Sequence, residues 1–218
     1  MRGMILAAGR GVRMGALTEK TPKPLLKAAG KYLIEYSIAA LVAADVRDIV
    51  INISYSADQI KNTLGDGSRY GATFYYSKEE EALETGGGIF QALPILGDAP
   101  FVVLSSDVIM DYPLKKLPRE PEGLAHLVLV DNPVFHPRGD FCLDDSRIFF
   151  EEKNTYTFAN VGIYRPELFA HCEPGKFRLG DLLKKAVKES QVTGEHYRGV
   201  WHNVGTPEEL KRIDEKFY

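Results

Sequence analysis

Ile5-Leu6-Ala7-Ala8-Gly9-Arg10-Gly11-Val12-Arg13-Met14 leads through Gly15-Ala16-Leu17-Thr18 into Thr21-Pro22-Lys23-Pro24-Leu25-Leu26-Lys27. A short apolar strand runs into a loop with glycines at 9 and 11, an arginine, and a lysine fixed between two prolines. Glycine lets the main chain approach a ligand without a Cβ, and successive N–H groups can form an anion-binding nest. Arg13 offers phosphate oxygens a planar fork, and Lys23 offers a compact point charge. The combination suits backbone wrapped around a triphosphate held by two cations. It is not a Walker loop, because no Gly-Lys-Ser/Thr follows the glycines, and the G-x-G-x-x-G dinucleotide spacing is absent. A bare glycine-rich connector is the alternative, but it accounts for neither the preceding strand nor the Pro-Lys-Pro clamp.

Outward from this loop, residues 4–8, 48–53, 72–76 and 101–105 are short apolar or β-branched runs, and 32–44, 57–63 and 88–93 carry helical spacing. Strands alternating with helices predict βαβ units in a Rossmann-like, mostly parallel sheet covered on both faces. Ile34, Ile38, Leu41 and Val42 fall on one helical face and read as core. Ligands of such sheets bind beyond the carboxyl ends of the strands, which puts residues 9–23, Ser54, Tyr55 and Asp107 at one rim. After about residue 110 the rhythm changes. Residues 124–130, 141–143, 148–150 and 157–164 read as strands, 166–172 and 179–190 as helices, then 192–204 and a helix from Pro207. With no linker, repeat or low-complexity stretch, the expectation is one domain over 1–218, with halves 1–110 and 111–218 and a smaller lobe packed on the α/β layer.

The amino-terminal stretch resembles the Leu-Ala-x-Gly-x-Gly-x-Arg…Leu-Thr…Pro-Lys-Pro-Leu signature of the sugar-1-phosphate nucleotidyltransferases. The resemblance runs through nearly the whole chain. Gly65–Arg69, Leu83–Ile89, Leu127–Pro133 and Gly194–Gly199 look most similar to the N-acetylmuramic acid 1-phosphate uridylyltransferases within that family. It implies a GT-A-like fold with an acceptor-side lobe. The implied substrates are a nucleoside triphosphate, UTP foremost, and a sugar 1-phosphate, with Mg²⁺ as cofactor. Mannose 1-phosphate with GTP, or another sugar phosphate, is the alternative pairing.

Residue by residue, the resemblance assigns Arg13 and Lys23 to catalysis. Leu6, Ala7, Ala8, Gly9, Gly11, Glu84, Thr85 and Gly86 fall on the nucleotide, and Gly87, Lys153, Asn160 and Gly162 on the sugar phosphate. Asp107 follows an apolar strand, where a carboxylate can hold a hard cation. Ser106 stands before it where the family has glycine. The second family ligand lies in Trp-x-Asp-x-Gly-Thr, and here Trp201-His202-Asn203-Val204-Gly205-Thr206 carries Asn203 in its place. Three readings stay open: a weaker metal site using Asp107 and Asn203; a different acid, with Asp111 nearest; or a nucleotide binder that turns over poorly. Asn154 likewise replaces the proline after the family lysine at Lys153. His202 is retained because it adjoins Asn203, whereas the other four histidines lack ligand spacing.

Composition narrows the rest. A chain of 218 residues can bury about 70% of its unfolded surface. A net charge of −3 and a pI near 6.0 leave no electrostatic footprint for nucleic acid. Cys142 and Cys172 form neither a disulfide framework nor a C-x-x-C site, so a reducing compartment is expected. The first apolar run is too short for a leader or membrane span. The expectation is a cytoplasmic protein without a membrane or nucleic-acid partner.

Overall fold

Residues Gly3–Leu6 form β1, with Met4 turned to one face and Ile5 to the other, both fully buried. A strand buried on both faces belongs in the middle of a covered sheet. The computed structural model, which describes residues 1–217, places it there. Along the chain follow β2 (Lys27–Ala28), β3 (Lys31–Tyr32), α1 (Leu33–Ala43), β4 (Asp48–Ile53), α2 (Ala57–Leu64), β5 (Thr73–Lys78), α3 (Glu84–Leu96), β6 (Phe101–Ser105) and β7 (Val108–Met110). Then come β8 (Ala125–Asp131), β9 (Cys142–Asp144), β10 (Arg147–Phe149), β11 (Tyr156–Tyr164), α4 (Leu179–Lys188), β12 (Val192–His196), β13 (Trp201–Asn203) and α5 (Pro207–Phe217).

One nine-stranded sheet runs β5-β4-β1-β6-β11-β8-β12-β10-β9. Its first four strands are parallel, as the alternation predicts. The rest is mixed: β11 is antiparallel to both β6 and β8, and β12 returns parallel to β8. Side-chain alternation sorts the core onto two faces. Ile5, Ile49 and Ile51 pack with Ile34, Ile38 and Leu41 of α1 and with Ile60 of α2. On the other face Met4, Val50 and Val103 pack with Ile89 and Ala92 of α3 and Leu183 of α4. Val42 is only partly buried against the first group. A third group joins Met14 behind the glycine loop to Leu33, Ile109, Val204 and Ile213 of α5.

Two helical expectations shift. The helix placed over 88–93 begins at Glu84, so its glycines lie inside the first turns rather than ahead of them. Residues Pro166–Phe169 make only a 3-10 turn, starting on a proline that suits a helix start. In β11 the pairing with β8 slips between Phe158 and Gly162, and Asn160 in this bulge has a left-handed backbone, φ 58°. No described helix is long and apolar enough to cross a membrane.

Candidate active site

Strands β1, β4 and β6 end together at one rim, and beside it lie two adjoining cavities of about 590 and 720 Å³. The smaller is floored by the glycine loop. Gly11 sits at φ 64°, and Gly15 at φ 56°, ψ −132°, a region essentially closed to other residues. Their carbonyls both accept from Thr18 Oγ1 at 3.1 Å, so the last residue of the turn Val12–Thr18 is tied to the residue before it and to its kink at Gly15. Leu6, Ala7, Ala8, Gly9, Gly11 and Arg13 all line this cavity.

Lys23 opens the next 3-10 turn, with Pro22 extended before it and Pro24 inside it. It is 9% exposed, and its Nζ is ion-paired with the carboxylate of Asp107. Asp107 in turn accepts from Ser105 Oγ at 2.6 Å. The short antiparallel pair β7–β13 then brings in the carboxyl-terminal motif: Asn203 stands opposite Val108, and Val204 N donates to Asp107 O at 2.9 Å. Asn203 Oδ1 is buried and accepts no hydrogen bond. The Asp107 carboxylate, paired here with Lys23, and the unpartnered Asn203 oxygen on the facing strand are oxygen donors of the kind a hard divalent cation takes. Among the described residues no three His, Cys, Asp or Glu side chains cluster as a metal site. Such a cation would therefore rest on Asp107, Asn203 and ligand phosphates. Asp111 is engaged elsewhere: it accepts from the Tyr197 hydroxyl and, at 2.8 Å, from Val200 N, and it lines neither cavity. His202 faces Ile109 across the β7–β13 pair and also lines neither.

The wall between the cavities is built from Leu6, Arg13, Glu84 and Thr85, which line both. Glu84 begins α3 with φ 63°, an uncommon conformation for a side-chain-bearing residue. Thr85 Oγ1 accepts from Leu179 N at 3.0 Å, which caps α4. Gly86 and Gly87 do not reach either cavity. Their N–H groups donate to Phe177 O at 3.0 and 3.1 Å. A Cβ would stand 2.5 Å from the Phe177 ring at Gly86 and 2.2 Å from Gly175 O at Gly87. These glycines admit the 175–179 segment.

In the larger cavity the bulge residue Asn160 lines the wall, as do Asn203 and Trp201, whose ring is stacked at 6.5 Å by Phe135. Lys153 is exposed and lines neither cavity, whereas its neighbour Asn154 does line the larger one. Gly162 is enclosed in the sheet, where a Cβ would lie 2.9 Å from the Tyr164 hydroxyl. Sequence reasoning passed over Asn52 and Glu79, both lining the smaller cavity and at most 3% exposed. Asn52 left a signal, one amide inside the apolar run Ile49-Val50-Ile51-Asn52-Ile53. Nothing marked Glu79 among Glu79-Glu80-Glu81.

The sequence profile described as nucleotidyl transferase matches residues 2–131. The chain is 45% identical to the N-acetylmuramate alpha-1-phosphate uridylyltransferase of Neisseria meningitidis serogroup B, over 97% of this chain and 96% of that protein. It is 33% identical to the protein of the same name from Caulobacter vibrioides, covering 94% and 92% of the two chains. The inositol-1-phosphate CTP transferase of T. maritima shares the fold with a TM-score of 0.84 at 19% identity, over 99% of this chain and 95% of that one.

Proposed function

The chain belongs to the nucleotidyl transferase family, and from that premise we propose that it joins UTP to N-acetylmuramic acid 1-phosphate, giving UDP-N-acetylmuramic acid and pyrophosphate. The observation that carries this reading is the convergence of Arg13, Lys23 and Asp107 on a glycine-floored cavity that shares a wall with a second, larger one.

In this reaction a phosphate oxygen of the sugar phosphate attacks the α-phosphorus of the nucleotide. The bond from that phosphorus to the oxygen bridging to the β-phosphate breaks, and pyrophosphate leaves with its electron pair. The attacking monoester needs no general base, because its second pKa, about 6, leaves it mostly dianionic at neutral pH. Catalysis reduces to aligning two anions and neutralising the charge between them. Lys23 serves the α-phosphate and the incoming sugar phosphate, and Arg13 the β- and γ-phosphates. The backbone from Ala8 to Gly11 cradles the nucleotide, Glu84 and Thr85 flank it, and Asn160 faces the sugar. A divalent cation, Mg²⁺ in this proposal, would be held by Asp107 and Asn203 and would offset phosphate charge when bound. The two free cysteines and the substrates suit a cytoplasmic place in cell-wall recycling.

The test is pyrophosphate release measured for four nucleoside triphosphates against a panel of sugar 1-phosphates. UTP with N-acetylmuramic acid 1-phosphate should be fastest. A maximum at GTP with mannose 1-phosphate replaces the substrate assignment, and no release with any pair removes the enzymatic one.

A further inference from the structure

Two buried side chains that the reaction does not use span the floor of the smaller cavity. Ala7 N, at the start of the glycine loop, donates to Asn52 Oδ1 at 2.8 Å. Asn52 Nδ2 donates to Glu79 Oε1 at 2.6 Å, and Glu79 Oε2 accepts from Leu83 N at 2.9 Å, one residue before α3. Asn52 is 3% exposed and Glu79 2%. The third glycine of the triplet belongs to this arrangement. A Cβ on Gly88 would stand 2.5 Å from Glu79 Oε1 and 2.7 Å from Asn52 Nδ2.

The polarity of the chain is fixed at both ends. A backbone N–H can only donate, so Ala7 demands the oxygen of the Asn52 amide and turns its NH₂ toward residue 79. Residue 79 then meets two donors, Asn52 Nδ2 and Leu83 N, and needs two acceptor oxygens. A carboxylate supplies both; an amide of the same shape leaves two donors facing each other. Buried donors without acceptors are costly, so the pair works as a unit. Its two ends are the glycine loop and the segment leading into Glu84 and Thr85, both of which line the proposed nucleotide crevice.

We infer that Asn52 and Glu79 are positioning residues, a polar strut that sets the gap between the glycine loop and the start of α3 and so tunes nucleotide binding. The inference rests on the nucleotide reading of this cavity. The decisive variants exchange the two groups. Asn52→Asp alone sets two carboxyl groups against each other, and Glu79→Gln alone sets two donors together. Asn52→Asp combined with Glu79→Gln reverses the order and satisfies every group again. Ala7 N then donates to Asp, the Gln amide donates to Asp, and Leu83 N donates to the Gln oxygen. Charge and shape are kept.

UTP binding in the presence of Mg²⁺ is measured by calorimetry on the full chain, with KM for each substrate and a thermal melt. Each single variant should weaken UTP about tenfold, the scale of one unsatisfied buried group, while KM for the sugar phosphate stays within about twofold. The exchanged pair should bind UTP within about threefold of wild type. Singles that bind UTP as wild type does, or that raise both KM values equally, overturn the strut. An exchanged pair that fails to fold, or folds and binds no better than about tenfold weaker than wild type, overturns it even where the singles are unfolded. Wild-type protein that binds no nucleoside triphosphate overturns the nucleotide reading itself, a result separate from unchanged variants.

Discussion

Gly205 lies against the guanidinium of Arg13: a methyl group built on it would stand 3.2 Å from Nη1 and 3.3 Å from Cζ. The backbone there is held from behind, because Glu209 Oε2 accepts from Gly205 N at 2.6 Å and from Thr206 N at 3.1 Å at the start of α5. The fork proposed to grip the β- and γ-phosphates is therefore aimed by the carboxyl-terminal motif. Gly205→Ala should push it aside by a few tenths of an ångström. The expected result in initial-rate kinetics is a rise of about tenfold in KM for UTP, below the ~10² that a displacement of about 1 Å can cost. An unchanged KM takes Arg13 out of triphosphate binding.

Lys23→Ala should lower kcat at least about 10²-fold, the scale of removing one preorganised donor. Single-turnover rates separate this from slow product release. Near-normal turnover would remove Lys23 from the mechanism.

Asn203→Asp adds a negative charge on the strand facing Val108, the residue after Asp107, where the amide oxygen has no partner. The midpoint of the Mg²⁺ titration should move to lower concentration, and kcat should rise. If the titration curve does not move, position 203 holds no cation.

Gly87→Ala tests the packing role of the glycine triplet. The new Cβ meets the carbonyl oxygen of Gly175 at 2.2 Å, a backbone atom that cannot swing aside. The cost should be about 1–3 kcal/mol. At roughly 2–4 °C of Tm per kcal/mol for a chain of this size, scanning calorimetry resolves it. An unaltered Tm would mean that the 175–179 segment yields freely.

Away from the cavities, the Glu195 carboxyl is held below its ordinary value of 4.5. The first cause is His126, whose Nε2 stands 3.7 Å away; the Tyr112 hydroxyl adds to it, and burial opposes both. A depressed folded value means the unfolded chain takes up the proton first as pH falls. The stabilisation is therefore complete above 4.5 and disappears as pH drops through the folded value. The Tm difference between wild type and Glu195→Gln should shrink as pH falls below 4.5. A difference that stays level to pH 3 would show that Glu195 is not linked to folding.

The amino-terminal half was legible because its signals are local. Glycines at left-handed positions, prolines bracketing Lys23 and the alternation of Met4 with Ile5 each act within a few residues. The return of β12 beside β8 was not legible, since nothing near Val192 names a partner across the intervening loops and α4. Gly86 and Gly87 read as ligand-facing because a missing Cβ is the same in sequence whether a nucleotide or Phe177 fills the space. Asn203 could be placed beside Asp107 only through the family motif, and the β7–β13 pairing gives the physical reason. The Asn52–Glu79 bond joins residues from different strand ends, and although Asn52 stands out in its apolar run, nothing local names Glu79 as its partner.

Leu6, Arg13, Glu84 and Thr85 belong to the walls of both cavities, so the two chambers meet along a border one side chain thick. A single compound that welds a nucleotide mimic to a sugar mimic needs only a stub of a tether to occupy both. With so short a join, the second half meets its chamber at a high effective concentration, and the gain over either fragment follows from geometry rather than from new contacts.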